Sequence, residues 1–246
     1  MGTSTNANRE MPDSDDDAIT AAQPAIRADF HTHTCFSHDG HQTPRELVER
    51  ARAVGLDRVA VTDHHTLEGA LRARDLDPQR VIVGEEITSR EGTHVIGLFL
   101  TKRIAKRLPL EVLTDEIRAQ GGVVYLPHPF AYLTGGRRRV ERALPLVDVI
   151  EVWNSRAFYA PWNRRALEIV RARSLPEAAG TDAHFSVELG RAVTVLPTFH
   201  DAATLEIAVR HARAQHDGNT YVLPHVGSVA VMALSRITGR PIRMDR

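Results

Sequence analysis

Asp29-Phe30-His31-Thr32-His33-Thr34, followed closely by Ser37-His38-Asp39-Gly40, is the stretch whose reading decides the fold. A short apolar run from Ile26 to Phe30 ends in two histidines at i and i+2. At strand spacing such residues point to the same face, so both imidazoles can reach one metal ion. A carboxylate, Asp39, follows on a segment that Gly40 lets turn. Neutral imidazole and carboxylate are the usual ligands of zinc, iron and manganese. A single His-x-His can also be no more than two solvated histidines. Here the same event recurs down the chain.

Size and composition set the outer limits. A chain of 246 residues is one large domain or two small ones, and α/β barrels use this length as one domain. Lys and Arg (31) balance Asp and Glu (31), so there is no strong nucleic-acid signature. The single cysteine, Cys35, excludes an internal disulfide and fits a cytoplasmic location. No apolar run approaches the roughly 18 residues of a membrane span. Residues 1–25 are polar, carry the acidic run Asp13, Asp15, Asp16 and Asp17, and lack an apolar signal core. They are expected to be a disordered tail ahead of one domain over 26–246. The conspicuous count is histidine, at 13, which suggests metal chemistry.

Strand-like and helix-like segments then alternate. Thr43 can cap a helix, with Pro44 at its first position, Glu46 completing a capping box and Gly55 ending it. Arg58–Thr62 is β-rich and breaks at Asp63-His64-His65, and Val81–Val83 breaks at Gly84-Glu85-Glu86. Val95–Leu100 follows His94, and a helix is expected over Leu110–Gln120. Val123–Leu126 breaks at Pro127-His128-Pro129, and Val147–Ile150 leads to Glu151-Val152-Trp153-Asn154. A helix from Trp162 to Arg173 precedes Gly180-Thr181-Asp182-Ala183-His184. Ala192–Leu196 is the last strand candidate, and Asp201 is expected to cap a helix through Ala214.

This alternation argues for parallel βα units. Neither a GxGxxG fingerprint nor a Walker loop is present, so the nucleotide-binding doubly wound folds lose their usual signal. His31, His33, His64, Glu86, His128, Asp182 and His184 all fall where a strand pattern gives out. In a β/α barrel, such positions converge on one mouth. His94 precedes its apolar run, so it fits only if that strand runs the other way or the residue lies on a loop. Six histidines and three acids (Asp39, Glu86, Asp182) suffice for a three-metal cluster and exceed what one ion uses.

The series His31-Thr-His33, Ser37-His-Asp39-Gly, Thr62-Asp-His64, Gly84-Glu-Glu86, His94, Pro127-flanked His128 and Thr181-Asp182-Ala-His184 resembles the PHP (polymerase and histidinol phosphatase) family. The resemblance spans about residues 26–200 and keeps the order and spacing of each metal motif. It implies a distorted (β/α)7 TIM-like barrel that binds two to three divalent ions, commonly manganese, iron or zinc. By that analogy His31, His33, Glu86 and Asp182 hold one ion, and Glu86 bridges to a second held by His94 and His128. Asp39, His64 and His184 hold the third. The family often has Asp or Asn after the motif-two histidine, where this chain has His65. Its activities are mixed, so the motifs fix the metal centre and leave the substrate open.

The expected function is hydrolysis of a small phosphomonoester or nucleotide by a metal-bridging hydroxide, with Asp182, His184 and Arg191 as catalytic candidates. Arg137 and Arg138, in the run Gly135–Arg139 after His128, and Arg156 are candidates for binding phosphate. Carbamate or carboxyl-ester hydrolysis on the same barrel, or a non-catalytic metal-stabilised module, are the alternatives. The native metal, the substrate and the oligomeric state are not legible in the sequence.

Overall fold

The structure, a computed structural model, describes residues 24–131 and 136–218. Residues 1–23 of the expected tail, Gly135 and the segment Val226–Ile237, whose apolar pattern suits a helix, lie outside the described residues, while Ala25 already belongs to the first strand.

Among the described residues, nine strands are hydrogen-bonded in the order β7-β6-β5-β4-β3-β2-β1-β8-β9. They are β1 (Ala25–Asp29), β2 (Arg58–Val61), β3 (Val81–Thr88), β4 (His94–Leu98), β5 (Val123–Leu126), β6 (Val149–Asn154), β7 (Glu177–Gly180), β8 (Ala192–Pro197) and β9 (Arg213–His216). Six α-helices lie between them: α1 (Pro44–Ala53), α2 (Glu68–Leu76), α3 (Leu110–Arg118), α4 (Arg137–Ala143), α5 (Ala160–Arg173) and α6 (Ala202–Ala208). Pairs β1–β2, β2–β3, β5–β6 and β6–β7 are parallel. The sheet curls into a nearly closed barrel. Its ends meet where the Thr194 hydroxyl accepts from Ala179 N (2.9 Å) and donates to Ala179 O (3.1 Å). Above that seam, Asp182 N donates to His31 O (2.8 Å) and His33 N to Ala183 O (2.9 Å). A distorted α/β barrel is therefore the fold.

Alternation along the strands builds two apolar layers. Val59, Val61, Val81, Val83, Val124 and Leu126 face outward to the helices. Ala60, Ile82, Ile96, Val123, Tyr125 and Phe30 fill the barrel. Phe30 packs on Tyr125 (centroids 6.3 Å apart) and Phe199 (6.1 Å), an aromatic floor beneath the mouth. Helix α1 starts as its sequence predicts, with Thr43 and Glu46 forming the capping box.

Two expectations need correction. β3 does not break at Gly84; it runs on to Thr88 and changes partner, pairing with β2 up to Val83 and with β4 from Gly84 onward. Glycine permits this switch, because a Cβ at position 84 would stand 2.9 Å from Gly97 O and 3.1 Å from Thr62 Cγ2. The helix expected to run through Ala214 stops at Ala208, followed by a 3-10 turn, Val209–His211. Residues Arg213–His216 form a further strand because they find a backbone partner in β8. Tertiary pairing overrides helical pattern there. Helix α2 starts from Leu67 without a side-chain cap, so its sequence does not mark its start. β4 runs antiparallel to both β3 and β5, which places His94 at the same end of the barrel as the other motifs.

Candidate metal centre

Six strands and one loop deliver nine side chains to the mouth. His31 and His33 lie just past β1, His64 past β2, Glu86 within β3, His94 at the start of β4, His128 past β5, and Asp182 and His184 past β7. Asp39 comes from the loop before α1. Glu86 is central. Its Oε2 lies 3.2 Å from both His31 Nε2 and His33 Nε2, and its Oε1 lies 2.6 Å from His94 Nδ1 and 3.2 Å from His128 Nε2. Glu85 faces the other way and accepts from Ile104 N. Asp182 Oδ1 stands 3.4 Å from His31 Nε2 and 3.2 Å from His33 Nε2. Asp39 Oδ2 stands 3.1 Å from His184 Nε2 and 3.4 Å from His64 Nε2.

This donor set fits divalent cations. His31 Nε2 and His33 Nε2 are 3.1 Å apart, and each also faces the same two carboxylate oxygens. Ligand atoms held at about 2.0–2.2 Å from one centre are separated by about 3–3.6 Å, depending on coordination geometry. The observed 3.1–3.4 Å spacings fall in that range. Asp39 Oδ1 is buried with no hydrogen-bond partner, as a ligand atom without its ion would be. Residue triads that could hold an ion include His31–His33–Glu86, Glu86–His94–His128 and His33–Asp39–His64.

The electrostatics agree. Burial opposes charge on His31, yet Asp182, Glu151 and Glu86 together raise it well above the usual imidazole range. Burial also opposes charge on His33, but its bonds to Asp182 and Glu86 push it up to about 10. Glu86 lies well below the usual carboxylate range: burial works against this, and His64, His94 and His31 outweigh it. Asp39 is drawn down in the same way, against burial, by His184 and His64. These buried carboxylates therefore favour positive charge at the centre of the cluster, which a divalent ion would supply.

The rings are aimed from behind. His31 Nδ1 meets Glu151 Oε1 at 3.1 Å, His33 Nδ1 meets Ser37 Oγ at 3.4 Å, and His184 Nδ1 meets Asp182 O at 2.7 Å. Each contact leaves Nε2 toward the cluster. Two acids beside the histidine motifs, which the sequence reading passed over, brace the same loops. Asp63 accepts from Thr34 N and Thr34 Oγ1, both at 2.6 Å. Asp29 accepts from the Thr181 hydroxyl and from Thr181 N, tying β1 to β7, and burial pushes its carboxyl up to about 7. An acid next to a candidate ligand histidine was the available signal. His128 (φ 28°) and Asp182 (φ 54°) both hold left-handed backbone, a strain that the surrounding bonds maintain.

The arginines divide. Arg137 and Arg138 are exposed on the first turn of α4. Their neighbour Arg139 lines a recess with Thr93, His94 and His128. Arg191 is half-buried just before β8, level with the carboxyl end of β1. Arg156 does not face the mouth as a free cation. It is buried, and Nη1 donates to both carboxylate oxygens of Glu188 at 2.9 Å. Glu188 Oε2 in turn accepts from His184 N (2.7 Å) and Phe185 N (2.9 Å). The pair thus braces the loop that carries His184. Cys35 is half-buried, and burial pushes its thiol up, which argues against a nucleophile. His38 is largely exposed, with its ring 5.0 Å from that of His64. Phe158 and Tyr159 are exposed and pack on Trp162 at the start of α5.

Comparison with known proteins places this centre in a family. The PHP domain profile matches residues 29–103, and the PHP-associated profile matches residues 160–213. The uncharacterized protein MJ1587 of Methanocaldococcus jannaschii is 33% identical over 144 residues, which are 53% of this chain and 82% of that protein. MJ0417 of the same organism is 36% identical over 176 residues, covering 68% of this chain and 69% of that protein. A candidate metal-dependent phosphoesterase of Bifidobacterium adolescentis shares the fold, with a TM-score of 0.53 at 20% identity over 67% of this chain and 90% of that one. No described helix is long and apolar enough to cross a membrane. With these relatives, these profiles and this arrangement of histidines and carboxylates, the chain belongs to the PHP-domain family.

Proposed function

We propose that the protein is a metal-dependent phosphoesterase that hydrolyses a small phosphomonoester or nucleotide. The observation that carries this reading is the convergence of His31, His33, Glu86, Asp182, His94, His128, Asp39, His64 and His184 on one barrel mouth at ligand-like spacings. In this reading His31, His33, Glu86 and Asp182 hold one ion, Glu86, His94 and His128 a second, and Asp39, His64 and His184 a third. Bound there, divalent ions would polarise phosphoryl oxygens and acidify water.

The chain's own residues supply the rest. Asp182 Oδ1 faces the imidazoles of His31, His33 and His184, so it can accept a hydrogen bond from attacking water. Its other oxygen is held by Asn154 Nδ2 at 3.3 Å, which fixes the carboxylate plane. His184, with Nδ1 bonded to the Asp182 carbonyl, presents Nε2 to Asp39 Oδ2 at 3.1 Å. Arg137, Arg138 and Arg191 are the cations proposed to neutralise phosphate, and Arg139 adds a guanidinium at the recess beside His94 and His128. Arg156 acts through Glu188 on the His184 loop.

The test is turnover of p-nitrophenyl phosphate, bis-p-nitrophenyl phosphate and p-nitrophenyl acetate with manganese, iron or zinc. The reading requires the monoester to be cleaved fastest. Faster cleavage of the acetate would replace phosphoesterase with carboxyl-ester or carbamate hydrolase. No cleavage of any of the three with metal bound would favour a non-catalytic module.

A further inference from the structure

Glu151 is wholly buried at the centre of β6 and is not one of the nine side chains grouped as ligands. Four donors converge on it. His31 Nδ1 and the Tyr125 hydroxyl meet Oε1, each at 3.1 Å, while His128 N (2.6 Å) and Asn154 Nδ2 (2.9 Å) donate to Oε2. A carboxylate that only accepts has about four lone-pair positions, so this one is saturated. Three of the four donors lead directly to candidate ligands. His31 is held through its ring, His128 through its own backbone N–H at a left-handed φ, and Asp182 through Asn154, whose amide also reaches Oδ2. Room for the carboxylate is made by Gly180, where a Cβ would stand 2.2 Å from Glu151 Oε1.

We infer that Glu151 is a positioning residue that sets the geometry of the β1–β5–β7 corner of the metal centre, fixing the His31 ring with Nε2 toward the ions and clamping His128 and Asp182 through a single carboxylate. The inference rests on the reading of the cluster as a metal centre. A ligating imidazole is commonly aimed by a carboxylate on its other nitrogen, and loss of that partner costs about 10–100-fold in metal affinity. What is particular here is the reach of one side chain to three strand ends.

The test is calorimetric titration of the metal-stripped full chain with Mn²⁺ alone, for wild type, Glu151→Gln and Tyr125→Phe. Glutamine has the same shape, but its NH₂ must face two of the four donors whichever way the amide is turned. Glu151→Gln is expected to weaken one class of Mn²⁺ site by about 10–100-fold while the other sites stay within about twofold. Tyr125→Phe removes the one donor that leads to no candidate ligand, and it should bind Mn²⁺ as wild type does. Unchanged Mn²⁺ binding in Glu151→Gln would overturn the inference alone. So would equal weakening of every site together with a matching fall in the melting temperature of the metal-free chain, since that is the mark of a merely structural carboxylate. A wild-type chain that takes up no Mn²⁺ would overturn the phosphoesterase reading as well. Should Glu151→Gln fail to fold, Glu151→Asp carries the same test, because it keeps an acceptor-only group one methylene short. Its Mn²⁺ affinity should fall at the same site class, and an unchanged value overturns the inference.

Discussion

At the β1–β7 corner of the mouth, His31 and His33 have no solvent exposure, and behind them Glu151, Ser37 and Asp29 hold rings and backbone in place. At the adjoining corner, the side chains of Asp39 and His64 are 15% and 12% exposed, and Asp39 rides on a loop between β1 and α1. The ligand types are the same at both corners; the support differs. A ligand set whose geometry is fixed beforehand loses less freedom on binding, so it should hold its ion more tightly. The difference teaches that the sites proposed in one barrel mouth need not be equal sites.

The largest effect should come from breaking the braced corner itself. His31→Ala or Asp182→Asn should lower phosphoesterase turnover by about three orders of magnitude or more, since losing a partner that merely orients a ligand already costs about 10–100-fold. Asp39→Ala should release one ion and leave the rest bound, which elemental analysis after dialysis would show. Loss of all ions in Asp39→Ala would abolish the distinction between the corners.

A second perturbation strikes the loop-borne corner from below. Arg156→Ala leaves the buried Glu188 carboxylate without its counter-charge beneath the His184 loop, and removing one partner of a buried ion pair costs about 3–5 kcal/mol. Chemical denaturation should show that loss, and stability equal to wild type would mean the pair is not a brace. Next in size is a titration on the far side of β3, away from the ligands. Burial pushes the Glu85 carboxyl up from 4.5 to about 7, with Ile104 N and Arg103 pulling it back. A carboxyl whose pKa is raised in the fold binds its proton more tightly there than in the unfolded chain. Its contribution to stability is therefore present at low pH and is lost as pH rises from 4.5 to about 7. Glu85→Gln should flatten that part of the stability profile by at most about 3 kcal/mol. An unchanged profile would show that another group sets it.

The smallest of these effects tests how tightly the braced corner is packed. Gly180→Ala would place a Cβ 2.2 Å from Glu151 Oε1 and 2.8 Å from His31 Cβ. Overpacking of this kind costs about 1–3 kcal/mol. The melting temperature should fall accordingly, and the metal held at His31 should be released more readily than the ion at Asp39.

Eight of the nine candidate ligands stand within a few residues of a β-rich run, which makes their convergence readable, and strand periodicity alone sends His31 and His33 the same way; Asp39, nine residues beyond Phe30, is placed only by its loop. His94 was legible only as a pair of alternatives; the antiparallel course of β4 decides between them. Side chains whose meaning lies in a distant partner were not legible. Arg156 reads as a phosphate cation until Glu188, 32 residues away, is seen against it. Glu151, following a β-rich run, declares no partner in the sequence until His31, 120 positions earlier in the chain, is found on its oxygen. The Arg213–His216 strand escaped for the same reason, since its partner β8 and not its own pattern makes it extended.

The measurement that tests the central claim most directly is the number of divalent ions per chain, by elemental analysis of the full-length protein loaded with manganese and freed of excess by gel filtration. Two to three ions per chain, falling by one in Asp39→Ala and further in His31→Ala, is the result this account requires. A wild-type chain that retains one ion or none would contradict it.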